Sequence, residues 1–471
     1  MTRRSFLASL ATAVAACTEA PDAKPRNILL IASDDLNNTL GCYGHPVVQT
    51  PNLDDLASRG VVFERAYCQF PFCGPSRASL LTGLRPDSSG VRGNDNVDFR
   101  TTVPDAVTLP QLFKNAGRRA LRIGKVFHMG VPGGVGSDAH QDPPSWDVSI
   151  SPPGLEDLTP GERGELTPDL RRGLRMDWIR TADGSAQADE AAADKAIELL
   201  EAQGSEPFFM GLGFVRPHVP FVAPGRYFDL YPEADMVPAV NPPGDLDDIP
   251  APAKNLRPFL WNNMGMSEAE QRQALRGYYA SVSYMDAQAG RVLDALERLG
   301  LADNTVVAFF GDHGWSLGEH THWQKMGLME EAVRAPLIVS APGRRGAGRK
   351  SKALVEFVDI YPTLAELGGL QPPATLEGLS LAPLLDEPDR PWKRSAFSQV
   401  EWEDRIYGRT VRTDRFRYTA WEGDGGGEEL YDHQADPGEF RNLAAEADFA
   451  EPLQAHRKLL ADGWRSALPP A

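Results

Sequence analysis

Four short, predominantly apolar runs constrain the fold of this 471-residue chain more than any other feature. Residues 27–33, 119–124, 208–214 and 305–310 have the length and composition of strands that are buried on both faces of a sheet. Segments with helical patterns separate these runs, which predicts an α/β fold with a large, mostly parallel sheet between two layers of helices. Each run ends in a polar cluster: Asp34 and Asp35, Lys125 and His128, Arg216 and His218, or Asp312 and His313.

These polar clusters indicate where the chain binds its ligand. In open parallel sheets, ligands bind beyond the carboxyl ends of the strands, and all four clusters occupy that position. Two adjacent carboxylates such as Asp34 and Asp35 are costly to bury unless a cation lies between them, and a hard divalent cation is the usual solution. Alone, the pair would be interpreted as a solvated turn, but the similar cluster at Asp312 favours a shared cation site.

Helix signals and a change of composition divide the chain. Helical stretches are predicted over 50–58, 108–116, 188–203 and 267–299, the last opened by a capping box at Ser267 and Glu270. After residue 385, short β-type pieces at 395–400, 407–413, 416–421 and 429–431 precede a helix over 451–464. We predict a leader at 1–24, a catalytic domain at 25–385 and a smaller C-terminal antiparallel sheet subdomain at 386–471.

The net charge of the chain and its N-terminal residues indicate which partners and which cellular location to expect. With 48 Lys and Arg against 65 Asp and Glu, the net charge is 48 − 65 = −17, which argues against a nucleic-acid partner. Arg3-Arg4-Ser5-Phe6-Leu7 and the following apolar residues predict a twin-arginine export signal, hence a periplasmic or cell-envelope location. Residues 14–17 resemble a lipobox that would lipidate Cys17, the only expected membrane attachment; an ordinary cleaved leader is the alternative.

The segment 73–83, Cys-Gly-Pro-Ser-Arg-Ala-Ser-Leu-Leu-Thr-Gly, predicts a short helix that begins just after Cys73. Pro75 is suited to the first helical turn and Gly83 to the end of the helix. A thiol at a helix N-terminus lies near free N–H donors, which lower its pKa and make it a candidate nucleophile. The alternative is an inert cysteine at the end of a core helix.

This segment also resembles the signature of the type I sulfatases, a formylglycine-dependent family with an alkaline-phosphatase-like fold. In that family the cysteine is converted to formylglycine by a maturase that recognises the proline and arginine corresponding to Pro75 and Arg77. Segments 124–128, 216–221, 322–325, 357–364 and 429–432 resemble the iduronate-2-sulfatase-like branch. Asp312-His313-Gly314-Trp315 fits the same branch, whereas the broader family often has asparagine at the position of His313.

The resemblance implies a set of roles. One calcium ion would be bound by Asp34, Asp35, Asp312, His313 and the modified residue at 73. Catalytic roles would fall to Cys73, Arg77, Lys125, His128, His218 and Lys325, with His218, Lys325 and Trp315 near the substrate. Arg77, Lys125 and Lys325 would supply positive charge, Asp312 and His128 would accept protons, and His218 with Lys325 would protonate the leaving oxygen. The implied substrate is a sulfated saccharide, with a 2-O-sulfated uronate suggested by the branch.

Several alternatives remain open from the sequence. The chain is also compatible with a phosphodiesterase or phosphonate monoester hydrolase of the same superfamily, or with a non-catalytic lipoprotein that binds sulfated glycan and keeps Cys73 unconverted. Cys42 and Cys68 could form a disulfide, but two buried thiols are favoured. Two irregular segments, 131–185 and 219–262, are interpreted either as walls of the binding site or as surface elaboration.

Overall fold

An eight-stranded sheet forms the centre of the computed structural model, which describes residues 26–469 except Asn96, Arg172, Ala186, Ser205 and Asp404. The predicted leader and Cys17 lie outside these residues. The strands of the large sheet are β1 (Asn27–Asp34), β2 (Val61–Tyr67), β3 (Arg119–Gly124), β4 (Val148–Ile150), β5 (Phe208–Pro217), β6 (Thr305–Gly311), β7 (Leu337–Ser340) and β8 (Arg349–Glu356).

The order of the strands across the sheet is β8-β2-β7-β6-β1-β5-β3-β4. All neighbouring pairs are parallel except those of β7, which runs antiparallel to β2 and β6. The predicted mostly parallel sheet is therefore confirmed. All four apolar runs form strands, and they are adjacent in the order β6-β1-β5-β3. Their carboxyl ends consequently meet at one edge of the sheet.

Helices cover both faces of the sheet, as predicted. The longer helices are α1 (Pro51–Arg59), α2 (Cys73–Thr82), α3 (Leu109–Asn115), α4 (Ala188–Glu201), α5 (Glu268–Arg298), α6 (Ile360–Leu367) and α7 (Ala450–Asp462). Short helices span Pro86–Ser89, Gly225–Phe228, Ala251–Asn255 and Glu330–Val333. Alternate side chains of β1 enter two separate cores: Ile28 and Leu30 pack with α2, α3 and α6, whereas Leu29 and Ile31 pack with α1, α4 and α5. No helix in the described part of the chain is both long and apolar enough to cross a membrane.

A four-stranded antiparallel sheet follows the main domain, as the sequence predicts. Its strands are β9 (Ser395–Trp402), β10 (Ile406–Thr413), β11 (Phe416–Glu422) and β12 (Gly427–Asp432), paired in chain order, and α7 packs against them. Buried ion pairs attach this sheet to the main domain. Arg417 on β11 pairs with Glu330 of the main domain and, at 2.6 Å, with Glu439.

The two irregular segments contain more structure than the sequence indicates. Residues 131–185 supply the edge strand β4 of the main sheet, a strand that the sequence pattern does not indicate. Strands Gly161–Gly164 and Trp178–Thr181 from the first segment join Phe221–Pro224 from the second in a small three-stranded sheet. These strands are not apparent from the sequence pattern, because they are short and lie among prolines.

Candidate active site

The carboxyl ends of β1 and β6 place two acidic clusters side by side. Ser33 and Gly311 are paired in the register of the two strands, so the acidic residues that follow each strand are neighbours. Asp35 has a φ of 60°, in the left-handed region, and its amide donates a 3.0 Å hydrogen bond to Oδ1 of Asp312. The hydroxyl of Tyr278 on α5 donates to the carbonyl of Asp35 at 2.9 Å. The tight turn after β1 is thus fixed by two distant elements.

Helix α2 brings Cys73 to these carboxylates. The helix begins at Cys73 itself, after the extended residue Phe72, and not one residue later as predicted. It ends at Gly83, whose φ of 68° is the left-handed conformation expected of a helix-terminating glycine. Sγ of Cys73 lies 3.1 Å from Nζ of Lys325 and 3.3 Å from Nε2 of His313. The buried thiol therefore lies at the centre of the predicted site residues.

Arg77, one turn along α2, connects the helix to both acidic clusters. Its Nε donates to Oδ2 of Asp312 at 2.8 Å, and its Nη2 lies 3.4 Å from Oδ1 of Asp34. Its third nitrogen donates to the main-chain carbonyl of Lys125. All of these groups are buried. Although burial alone would lower it, the pKa of Arg77 is raised by Asp312 and Asp34, so this cation is stabilised in place.

Lys125 reaches the site because the chain turns sharply after β3. Gly124 has a φ of 71°, and a Cβ at this position would lie 2.1 Å from the carbonyl oxygen of Gly213, so only glycine fits here. Nζ of Lys125 then donates to Oδ2 of Asp34 at 2.6 Å. Burial would raise the pKa of Asp34, but Lys125, His218 and Arg77 together hold it well below its ordinary value. Asp34 is therefore a carboxylate at all working pH values.

Lys325 is held between a carboxylate and two aromatic rings. Its Nζ donates to Oδ1 of Asp35 at 2.6 Å and lies 5.6 Å from the ring centroids of both Phe72 and Trp315. Burial opposes the charge, but Asp35 and Cys73 raise the pKa of Lys325 above its ordinary value. The ring of Trp315 is fully buried and stacks on Tyr278. This position does not support the expected substrate contact: Trp315 packs behind Lys325 instead.

Three histidines complete the site, and their hydrogen bonds identify the free ring nitrogens. Nδ1 of His313 donates to the carbonyl of Gly314 at 2.8 Å, which leaves Nε2 directed at Cys73 and Asp35. Nδ1 of His218 donates to the carbonyl of Val219 at 2.6 Å, and its Nε2 lies 3.5 Å from Oδ2 of Asp35. Burial lowers the pKa of His218 to about 4. Burial and Lys125 lower the pKa of His128 to about 2, and its Nδ1 is buried without a hydrogen-bond partner.

The donor set fits a hard divalent cation. Oδ2 of Asp35 is buried and accepts no hydrogen bond, which is costly unless a cation or another donor reaches it. Ligand atoms of Asp34, Asp35, Cys73 and His218 lie within 4.8 Å of one another, and so do those of Cys73, Asp312 and His313. Carboxylate oxygens are the ligands that calcium prefers. The predicted metal ligands are thus brought together, and His218 joins them.

A cleft of about 230 Å³ opens above Cys73. The predicted residues Lys125, His128, His218 and Lys325 all line it. Its outer wall contains residues that the sequence analysis did not identify: Phe72, Arg92, Asn94, Arg171, Arg257, Glu401 and Trp402. Arg171 and Arg257 come from the two irregular segments and Trp402 from the end of β9. No local motif marks them, because chain topology alone brings them to the cleft.

The other two cysteines in the described part of the chain, Cys42 and Cys68, lie outside the cleft. Cys42 is half-buried and Cys68 is buried, and both are free thiols in the structure. Burial and then Asp54 raise the pKa of Cys42 to about 12, and burial also raises the pKa of Cys68. Both thiols are therefore unreactive at neutral pH, in contrast to the position of Cys73 among cationic side chains.

Comparisons with known proteins identify the family of the chain. Residues 26–370 match the family described as Sulfatase, and residues 318–463 match the family described as N-sulphoglucosamine sulphohydrolase, C-terminal. A sulfatase of Formosa agariphila is 34% identical over 456 residues, covering 92% of this chain and 86% of the relative. Human iduronate 2-sulfatase is 34% identical over 484 residues, covering 84% of this chain and 85% of the relative.

Solved structures show the same fold. The phosphonate monoester hydrolase of Agrobacterium radiobacter superposes with a TM-score of 0.76 at 24% sequence identity, over 94% of this chain and 95% of that one. At this identity the similarity establishes the fold alone. The Sulfatase match spans well over half of the chain and contains all of the candidate catalytic and metal-ligand residues described above. The chain therefore belongs to the sulfatase family of sulfuric ester hydrolases.

Proposed function

We propose that this protein hydrolyses sulfate esters of a sulfated saccharide, with a 2-O-sulfated uronate as its preferred substrate. The observation that carries the proposal is the position of Cys73, whose Sγ lies 3.1 Å from Nζ of Lys325 and 3.3 Å from Nε2 of His313 at the base of the cleft. The similarity to iduronate 2-sulfatases supports the choice of sugar.

The proposal includes conversion of Cys73 to formylglycine by a maturase. Once formed, the hydrated aldehyde supplies a nucleophilic oxygen and a second hydroxyl on the same carbon, so the sulfate can be expelled without attack of water on a stable ester. After conversion, these oxygens would replace Sγ of Cys73 at this position. The neighbouring residues Gly74 and Ser76 are anchored by hydrogen bonds to Asn94 and to the carbonyl of Asp312, which fixes the direction of the side chain at position 73.

The proposal also includes one calcium ion bound by Asp34, Asp35, Asp312, His313 and the side chain at position 73. The ion would supply positive charge next to the sulfate oxygens, where negative charge develops in the transition state. Arg77 pairs with both Asp34 and Asp312 and holds these two ligands at a fixed separation. Lys125, whose Nζ lies beside Asp34, provides a further cation for the sulfo group.

Proton transfers are assigned from the charge states of the side chains. Lys325 is the protonated group next to Cys73, so it is suited to donate a proton to the departing sugar oxygen. His218 is neutral at pH 7 and its Nδ1–H donates to the carbonyl of Val219, so its unprotonated Nε2, 3.5 Å from Oδ2 of Asp35, is available as a cation ligand or as a hydrogen-bond acceptor. His128 lines the cleft and its Nδ1 has no hydrogen-bond partner, so this nitrogen is free to accept a proton from the side chain at position 73. Burial and Lys125 lower the pKa of His128 to about 2, so it would act as a weak base.

The test compares ester classes on one preparation. The chain is produced together with a formylglycine-generating maturase, and kcat/KM is measured for 2-O-sulfated uronate disaccharides and for matched phosphate and phosphonate monoesters. We expect the sulfate esters to be hydrolysed faster, and the Cys73→Ala variant to be folded but inactive. Faster hydrolysis of phosphonate monoesters would support the phosphonate hydrolase alternative. Activity retained in Cys73→Ala would exclude the assigned nucleophile.

Export to the periplasm or cell envelope with lipidation of Cys17 is part of the same proposal. It is supported by the Arg3-Arg4 motif and the apolar residues before Cys17. Incorporation of labelled fatty acid in the producing bacterium would detect the lipid, and Cys17→Ala is expected to abolish the label. A labelled Cys17→Ala protein, or an unlabelled wild-type protein, would contradict lipidation.

A further inference from the structure

Arg257 is the one buried arginine without an ionic or hydrogen-bond partner in the described part of the chain. Eight arginine side chains are buried there. Seven of them donate to carboxylates or to main-chain carbonyls: Arg77, Arg85, Arg118, Arg122, Arg216, Arg412 and Arg417. Arg257 is 5% exposed as a whole residue, and its Nε is buried with no hydrogen-bond partner. An unpaired buried charge is costly, so a partner from outside the chain is expected.

The surroundings of Arg257 hold the guanidinium in place without neutralising it. Its Cζ lies 4.1 Å from the ring centroid of Trp402 and 5.2 Å from that of Phe72, which are cation–π contacts. Aromatic rings stabilise a guanidinium but leave its N–H donors free for a ligand. Arg85 provides the contrast: it also contacts two aromatic rings, but both of its terminal nitrogens donate to Glu356.

The acidic residues of the cleft do not reach Arg257. Glu401, next to Trp402, pairs with Arg92 at 3.1 Å, and neither Asp95 nor Glu401 lies within ion-pair distance of Arg257. Burial and the nearby Arg171 lower the pKa of Arg257 to about 10, so the guanidinium stays charged at neutral pH. The outer cleft therefore presents two arginines, Arg171 and Arg257, with unmatched positive charge.

This charge lies next to the reaction centre. The ring of Phe72 contacts Arg257 on one side of the cleft and Nζ of Lys325 at 5.6 Å, and Phe72 directly precedes Cys73. One aromatic ring thus separates the unpaired guanidinium from the lysine that adjoins the nucleophile. A substrate with one anion at Cys73 and another on the same sugar would reach both places.

We propose that Arg257, with Arg171 beside it, binds the carboxylate of the sugar whose sulfate ester lies at Cys73, and thereby selects 2-O-sulfated uronates over neutral sulfated sugars. The planar fork of a guanidinium matches a carboxylate, which accepts two parallel hydrogen bonds. The inference rests on the proposed sulfatase function and adds the residue that recognises the second anion. In this assignment, Arg257 binds the carboxylate of the sugar, whereas Lys125 and Lys325 act on the sulfate group.

The test measures substrate preference in wild-type protein and in Arg257→Gln. Three substrates are compared: a 2-O-sulfated uronate disaccharide, its carboxyl-reduced counterpart, and a disulfated sugar without a carboxylate. We expect the wild type to prefer the first substrate, and Arg257→Gln to lower the ratio of kcat/KM for the first to the second substrate about 10- to 100-fold, mainly through KM. Arg409→Gln is the matched control, because Arg409 also stacks on a ring, that of Tyr407, but pairs with Asp87 outside the cleft.

The other outcomes overturn the inference. Equal decreases in kcat/KM for the carboxylated and the carboxyl-reduced substrate would show that Arg257 is merely structural. A decrease in kcat/KM only for the disulfated sugar would show that Arg257 binds a second sulfate instead. A wild type that hydrolyses only the carboxyl-free sulfates would refute this inference alone, whereas one that hydrolyses no sulfate ester would refute the proposed function as well. If Arg257→Gln does not fold, Arg257→Lys is used instead, because lysine keeps the positive charge but lacks the planar guanidinium. This variant is expected to lower the ratio of kcat/KM for the uronate to that for its carboxyl-reduced counterpart, and an unchanged ratio would contradict the proposal.

Discussion

Nε of Arg77 lies 2.8 Å from Oδ2 of Asp312, although the two residues are 235 positions apart in the chain. This buried pair joins the helix that carries Cys73 to the strand end that carries the second acidic cluster. Because Arg77 also contacts Asp34, one side chain connects three of the elements that form the site. Arg77 therefore links position 73 to the acidic residues that are proposed to bind calcium.

Removing this arginine is expected to destabilise the fold as well as the site. Arg77→Gln leaves the buried carboxylates of Asp34 and Asp312 with less compensation, which costs about 3–5 kcal/mol in the free energy of unfolding. Arg59→Gln is the control, because Arg59 forms ion pairs at the surface, where such pairs contribute about 0–1 kcal/mol. Denaturant unfolding measures both variants. If Arg77→Gln lowered the free energy of unfolding as little as Arg59→Gln does, the structural role of the Arg77–Asp312 pair would be contradicted.

Trp315 is expected to act through Lys325 and not through the substrate. Its ring is fully buried and lies 5.6 Å from Nζ of Lys325, so Trp315→Leu should lower kcat by misplacing the lysine and should cost about 3 kcal/mol of stability. Trp315→Phe keeps an aromatic ring and should retain most of kcat. Steady-state kinetics on a sulfate ester test this expectation. A rise in KM with unchanged kcat would instead indicate direct contact with the substrate.

Calcium is expected to stabilise the folded protein through the acidic clusters. After treatment with a chelator, addition of Ca²⁺ at 100 times its Kd should raise the free energy of unfolding by about 2.7 kcal/mol, because the ion binds only the folded site. Asp35→Asn should abolish the shift, whereas Asp229→Asn, at an exposed pair with Arg180, should keep it. Thermal unfolding with and without Ca²⁺ makes the comparison independent of activity. A shift that persists in Asp35→Asn would place the ion elsewhere.

Protonation of His322 is expected to destabilise the protein in acid. Burial and then His320 lower the pKa of His322 to about 3, whereas in the unfolded chain it titrates near its ordinary value of 6.5. The unfolded state therefore binds the proton first, so stability is full above pH 6.5 and is lost as the pH falls towards 3. At pH 5 the loss from this residue is about 2 kcal/mol. His322→Gln should show a smaller difference between unfolding free energies at pH 7 and pH 5, and an unchanged difference would contradict the assignment.

Much of the fold could be predicted because its central strands are locally encoded. The four apolar runs, the capping box at Ser267 and the turn-forming Gly83 each determine their own structure within a few residues. Strands β2, β4, β7 and β8 of the main sheet are not apparent from the sequence. Glu64 and Arg65 interrupt the apolar pattern of β2, β4 and β7 have only three and four residues, and exposed charges obscure the pattern of β8. The division between domains at residue 385 stays a prediction.

The candidate site was predictable to the extent that its residues directly follow strands. Asp34, Asp35, Lys125 and Asp312 meet because parallel strands end at the same edge of the sheet. The outer wall could not be predicted in this way, because Arg257 and Trp402 come from an irregular segment and from the C-terminal sheet. Their meeting depends on how the two sheets pack, and that packing is not encoded in any short segment.

Mass analysis of the peptide that contains Cys73 tests the central claim most directly. The protein is produced with a formylglycine-generating maturase, treated with an alkylating agent and an aldehyde-reactive hydrazide, and digested. We expect the residue at position 73 to be found as an aldehyde that forms the hydrazone, and the Cys42 and Cys68 peptides to carry alkylated thiols. An alkylated thiol at position 73 in a preparation that hydrolyses sulfate esters at full rate would contradict the account.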